Sequence, residues 1–88
     1  MKRQELIQEL DKILPVVVRV HGENHSELAE VGELYAKLRA AMDAGKDEEA
    51  KEYMQQLRKV SKDFAVPSDA CPTYAKTYED LVALEQKL

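Results

Sequence analysis

Apolar residues recur at steps of three and four through four separate stretches of this chain, a spacing that gathers them on one face of an α-helix. In the first stretch, from about Arg3 to Val20, the period is kept by Leu6, Leu10, Ile13, Val17 and Val20, while Ile7, Leu14 and Val18 widen the stripe. A stripe of that width belongs against a core. Pro15 lies inside it and carries no backbone donor, so a kink is expected there, or else an irregular VVVRV segment.

The next segment, HGENHSEL, holds a stop and a start. Gly22 suits a helix end, and Asn24 with Glu27 three residues later fits the reciprocal capping arrangement. The second helix would then bury Leu28, Val31, Tyr35, Leu38 and Met42, flanked by Leu34 and Ala41, and leave Glu30, Glu33, Lys37 and Arg39 in water. Gly45 ends it.

Asp47 can cap a third helix, whose first-turn Glu48 and Glu49 suit the positive end of the helix dipole. Its stripe is Ala50, Tyr53, Met54, Leu57, Val60 and Phe64. The pattern breaks from Ala65 to Pro67. Ser68 or Cys71 can cap a fourth helix, in which Pro72 is tolerated because it falls in the first turn, and Tyr74, Tyr78, Leu81, Leu84 and Leu88 face inward.

Short loops make consecutive helices antiparallel neighbours, so the expected fold is all-α, an up-down-up-down four-helix bundle forming a single domain over 1–88. That topology sets the Gly22 to Ser26 loop beside the Ala65 to Asp69 loop at one end. The start of the first helix, the Asp43 to Asp47 turn and the C-terminus fall at the other.

Composition agrees and excludes several roles. With 44% hydrophobic and 34% charged residues, and only three Gly and three Pro, the chain is neither disordered nor built of strands and turns. A net charge of -4 spread without a basic block argues against nucleic acid as a partner. No apolar run approaches the roughly 20 residues that span a bilayer. The opening MKRQELIQELDK turns acidic where a secretory signal would turn apolar, so no membrane role and a cytoplasmic location are expected. A single cysteine, Cys71, cannot form an internal disulfide, which agrees with a reducing compartment.

Two stretches, VVRVHGENHSEL continuing into ELYAKLRAAM, and DFAVPSDACPTYAKTYEDLVALEQKL, resemble the C-terminal domain of the di-iron iron-sulfur cluster repair proteins, a hemerythrin-like four-helix bundle. The resemblance spans most of the chain. Its most specific pieces are the V-H-G-x-N-H loop and the P-x-x-A-C-x-T-aromatic helix start, neither of which a bundle requires. In that family, His residues from all four helices hold the metal, with Glu residues four positions after a His on the second and fourth helices. Such spacing puts both groups on one helical face.

This sequence departs from the family pattern at each ligand position. The first His would fall just before Met1; the second-helix His-x-x-x-Glu is replaced by the Asp43-Ala44-Gly45 turn; Asp47 stands where the third-helix His would be; and the chain stops at LEQKL, before the final His-x-x-x-Glu. All four positions belong to one end of the bundle. The expectation is a shortened scaffold without metal ligands, with no cofactor and no catalytic set, whose HGENH and PSDAC loops persist at the opposite end.

His21, His25 and Cys71 are the candidate binding residues of that retained end. His21 and His25 lie four apart with Glu23 and Glu27 interleaved, which admits an iron or zinc site. The alternative is that Gly22 breaks the helical register and the imidazoles cap or hydrogen-bond the neighbouring loop. Cys71 can be a reactive thiol at a helix N-terminus or a small buried hydrophobe in line with Tyr74 and Tyr78. Tyr35, Tyr53, Tyr74 and Tyr78 read as packing residues with hydroxyls reaching the surface, and the acidic runs at Asp47 to Glu49 and Glu79 to Asp80 as solvated faces.

Two function classes follow. One is a metal-free helical module that forms a homodimer or docks on another protein, with dimerisation covering apolar side chains exposed at the shortened end. The other is a residual metal or redox protein using Cys71 with His21 and His25.

Overall fold

The computed structural model describes residues 2–88, and among them it contains four helices and no strand: α1 (Arg3–His21), α2 (Glu27–Asp43), α3 (Asp47–Val60) and α4 (Pro72–Glu85). The helices close over one core. Leu6, Leu10 and Val17 of α1, Leu28, Val31 and Leu38 of α2, Ala50, Met54 and Leu57 of α3, and Tyr74, Tyr78, Leu81 and Leu84 of α4 are all buried in it. Each buried Leu contributes about 1.5–3 kcal/mol relative to exposure. No helix among the described residues is long and apolar enough to cross a membrane.

Several local expectations are corrected. Pro15 lies on the exposed side and α1 continues past it to His21 as one helix, so the irregular VVVRV alternative is not adopted. Val20, expected on the buried stripe, is 62% exposed in the last turn of α1. Asn24 and Glu27 form no capping box: α2 starts at Glu27 after Ser26, whose side chain makes no cap bond. Asp47 is the first residue of α3 rather than its cap, which is Lys46, and it joins Glu48 and Glu49 in the first turn. Gly45 takes φ +71, the left-handed region that glycine enters freely, and α2 has ended two residues earlier at Asp43.

α3 stops four residues short of Phe64, and Lys62, Asp63 and Phe64 follow with φ of 56, 62 and 59. Each such non-glycine residue costs about 1–2 kcal/mol. Local bonds offset that cost: Asp63 N–H donates to the Arg58 carbonyl at 2.7 Å, and Phe64 N–H donates to Ser61 Oγ at 2.9 Å. The turn swings the Phe64 ring into the core against Tyr78, under the Arg58 guanidinium, whose carbon lies 5.1 Å from the ring centroid.

Polar contacts set how the helices meet. Tyr35 of α2 donates to the Asp11 carboxylate of α1 at 2.7 Å and to the Ile7 carbonyl at 3.3 Å, and Arg39 Nε reaches Asp11 at 3.2 Å. Arg58 of α3 donates to Glu85 of α4 at 3.0 Å, holding the Glu85 carboxyl below its usual range. Lys76 of α4 lies 3.5 Å from Glu9 of α1.

Candidate functional site

The two loops carrying the most distinctive sequence pieces meet. Gly22 follows α1 with helical dihedrals, φ -61 and ψ -29, and its N–H bonds to the Val18 carbonyl. Its role is close approach, since a Cβ at this position would lie 2.4 Å from the Val18 carbonyl oxygen. The chain therefore coils on for one more turn, and His25 N–H donates to the His21 carbonyl at 2.9 Å. α1 ends before Gly22 as expected, but one i,i+4 backbone bond still joins His21 and His25.

Both imidazoles consequently rest on one ring. Tyr74, wholly buried, meets His21 edge-on at 5.1 Å between centroids and His25 at 5.6 Å. Tyr74 in turn meets Tyr78 at 5.2 Å, and Tyr78 meets Phe64 at 5.7 Å, so a continuous edge-to-face aromatic row runs from the loops into the core. Edge-to-face pairs of this kind contribute about 0.5–1.5 kcal/mol each beyond area burial. The hydroxyl of Tyr74 is buried with no hydrogen-bond partner among the described residues, and desolvation raises its pKa. The expectation that the tyrosine hydroxyls reach the surface fails here.

The two histidines take different partners. His21 Nε2 is 3.2 Å from Cys71 Sγ. Cys71 is the N-cap of α4, in extended backbone, and its sulfur accepts from the Tyr74 N–H at 3.4 Å while Pro72 fills the first helical position. Of the two caps the sequence offered, the structure uses Cys71. The thiol is half-buried at the edge of the core, so packing and a polar role coincide in one side chain.

His25 turns to the other side. Its Nε2 lies 3.0 and 3.1 Å from the two carboxylate oxygens of Asp69, and its Nδ1 lies 3.6 Å from Glu27. The hydrogen bond from His25 lowers the Asp69 pKa below the ordinary aspartate value. Beside this pair, His25, Glu27, Val60, Val66, Pro67 and Tyr78 line a hollow of about 310 Å³. Asp69 was not singled out by sequence reasoning, since its offset from His25 carried no signal until the loops were placed together, whereas Glu27 already stood out as a carboxylate interleaved with the histidines.

As a thiol and an imidazole in contact, Cys71 and His21 can exchange a proton, leaving a thiolate beside an imidazolium. The set does not suit a metal centre. His21 pairs with Cys71 and His25 pairs with carboxylates, and no group of three His, Cys, Asp or Glu side chains among the described residues is placed to hold a metal ion. Iron or zinc bound by His21, His25 and Cys71 together does not fit this arrangement.

The end holding the start of α1 and the α2–α3 turn differs from the expectation of bare apolar surface. Arg3, Gln4, Gln8, Arg39 and Asp43 surround Ile7 and Met42 there, lining a hollow of about 510 Å³. Among the described residues the large apolar side chains that stand exposed are Val16, Val20 and Val66, of which Val20 precedes His21 and Val66 lines the hollow beside His25. No family model, curated protein or solved structure matches the chain.

Proposed function

We propose that this chain is a hemerythrin-like, up-down-up-down four-helix bundle related to the C-terminal domains of the di-iron iron-sulfur cluster repair proteins, acting without metal as a cytoplasmic module that self-associates or docks on another protein. The observation that carries the kinship is the meeting of the two motifs. The V-H-G-x-N-H loop and the P-x-x-A-C-x-T-Tyr helix start touch through His21 with Cys71 and His25 with Asp69, over Tyr74. Residues that a bundle does not require are thereby accounted for as parts of one closure.

The helix register supports the bundle course. Asp11 faces Arg39 while Arg3 and Asp43 line one hollow, His21 faces Cys71 while Glu9 faces Lys76, and Arg58 faces Glu85 while Phe64 faces Tyr78. In each pair of contacts one residue number rises as the other falls, as antiparallel neighbours require. The metal-free part rests on the internal ligand positions, where the Asp43-Ala44-Gly45 turn and Asp47 stand in place of the family's His-x-x-x-Glu and His.

Docking is assigned to the retained end, where exposed Val20 and Val66 flank the paired loops. Sedimentation over a wide concentration range tests self-association: a dimer that Val66→Asp or Val20→Asp dissociates supports it. A stable monomer at high concentration removes it and leaves docking on a different protein.

A second reading, thiol redox chemistry at Cys71, is favoured by the 3.2 Å contact with His21 and by the partial exposure of the thiol. Alkylation separates the two. Faster reaction of native Cys71 than of the unfolded chain, slowed by His21→Phe, supports a reactive thiol; slow native alkylation removes it.

A further inference from the structure

Asp80 is the most deeply buried carboxylate of the chain, its side chain 2% exposed on the side of α4 that packs against α1. Its Oδ1 accepts from Lys76 Nζ at 2.6 Å, and the same ammonium lies 3.5 Å from Glu9 Oε1 on α1. Two carboxylates thus share one lysine. Oδ2 of Asp80 is buried without a hydrogen-bond donor among the described residues, and the lysine that Asp80 and Glu9 share brings the two carboxyl groups to the same α1–α4 contact.

Two ionised carboxylates are acceptors only and cannot bond to one another. One proton placed between them converts the repulsion into a strong charge-assisted hydrogen bond and satisfies the orphan oxygen. We infer that Asp80 of the folded protein holds a proton on Oδ2 and donates it to the Glu9 carboxylate, so that the α1–α4 contact is a proton-dependent clasp.

The charged groups acting on Asp80 are Glu9 from α1 and Lys76 from its own helix. Burial, the largest influence, raises the Asp80 pKa, and Lys76 opposes it. The sign follows by linkage. A carboxyl whose folded pKa is raised binds its proton more tightly when folded, so this stabilisation is complete below the ordinary aspartate pKa and is lost as pH rises through the raised value. A single linked proton changes the unfolding constant by at most about tenfold per pH unit inside that window.

Urea unfolding of the full chain from about pH 3 to 9, compared with Asp80→Asn, reads the clasp. The amide keeps an oxygen for Lys76 and supplies Glu9 with a donor at every pH. The expected result is that the wild-type unfolding constant rises relative to that of the variant as pH climbs above the ordinary aspartate range. Coincident pH profiles overturn the inference. Carbon NMR of the wild-type Asp80 carboxyl is the independent arm should Asp80→Asn not fold: titration clearly above the ordinary value, falling in Glu9→Gln, supports the shared proton. Titration at or below it overturns the clasp.

Discussion

His21 Nε2 and Cys71 Sγ lie 3.2 Å apart, joining the last residue of α1 to the residue that caps α4. The contact joins residues 50 positions apart in the chain, and the same sulfur accepts the Tyr74 N–H. Cys71→Ala removes both bonds and the cap, and is expected to lower stability by about 1 kcal/mol, within the range of lost N-caps. A urea denaturation midpoint unchanged from wild type would show that neither the cap nor the His21 contact of the sulfur stabilises the fold.

Gly22→Ala should be costlier, although the residue sits in ordinary helical backbone. The added Cβ would meet the Val18 carbonyl oxygen at 2.4 Å, and backbone cannot swing aside as a flexible side chain does. Overpacking of this kind costs about 1–3 kcal/mol. Thermal or urea unfolding checks it, and an alanine variant as stable as wild type would mean that the turn after His21 can open without loss.

Two tyrosines predict opposite signs for the same substitution. Tyr35→Phe discards hydrogen bonds to Asp11 and to the Ile7 carbonyl and should destabilise by about 1–2 kcal/mol. Tyr74→Phe removes a buried hydroxyl with no partner among the described residues, and should be neutral or stabilise by up to ~1 kcal/mol while keeping the contacts to His21, His25 and Tyr78. Paired urea titrations of the two variants give the comparison directly.

Acid should weaken the loop closure. Asp69, bonded by His25, and Glu85, bonded by Arg58, both have lowered pKa values. Their stabilisation is present above the ordinary carboxyl values and is lost as pH falls through the lowered ones. His25→Gln should flatten the Asp69 part of that acid loss and leave the Glu85 part. Urea midpoints measured below about pH 5 for wild type and variant test this.

How much the sequence disclosed depends on which physical signal carried each element. The helices were legible because Leu6, Leu10, Leu28, Val31, Leu38, Met54, Leu57, Leu81 and Leu84 keep a helical period, and burial follows that period. Asp80 and Thr77 occupy core-facing positions of the same stripe on α4, yet polarity masks them in a reading based on apolar spacing. The Lys62 to Phe64 turn was invisible because it holds no glycine and only Asp63 is of a type that enters positive φ readily, and Phe64 continues the spacing of α3 by coincidence of number.

At the candidate site, the meeting of the two loops was legible from bundle topology alone. Which imidazole takes the thiol and which the carboxylate was not, since that depends on the extra helical turn that carries His25 past Gly22 toward Asp69. The same turn sets two histidines four apart against different neighbours. Their rings share Tyr74 while their Nε2 atoms bond to different partners.

Elemental analysis of the protein purified without chelator decides whether the proposed hemerythrin-like module works without metal. No stoichiometric iron or zinc is expected. One or more equivalents of either metal bound per chain would contradict it.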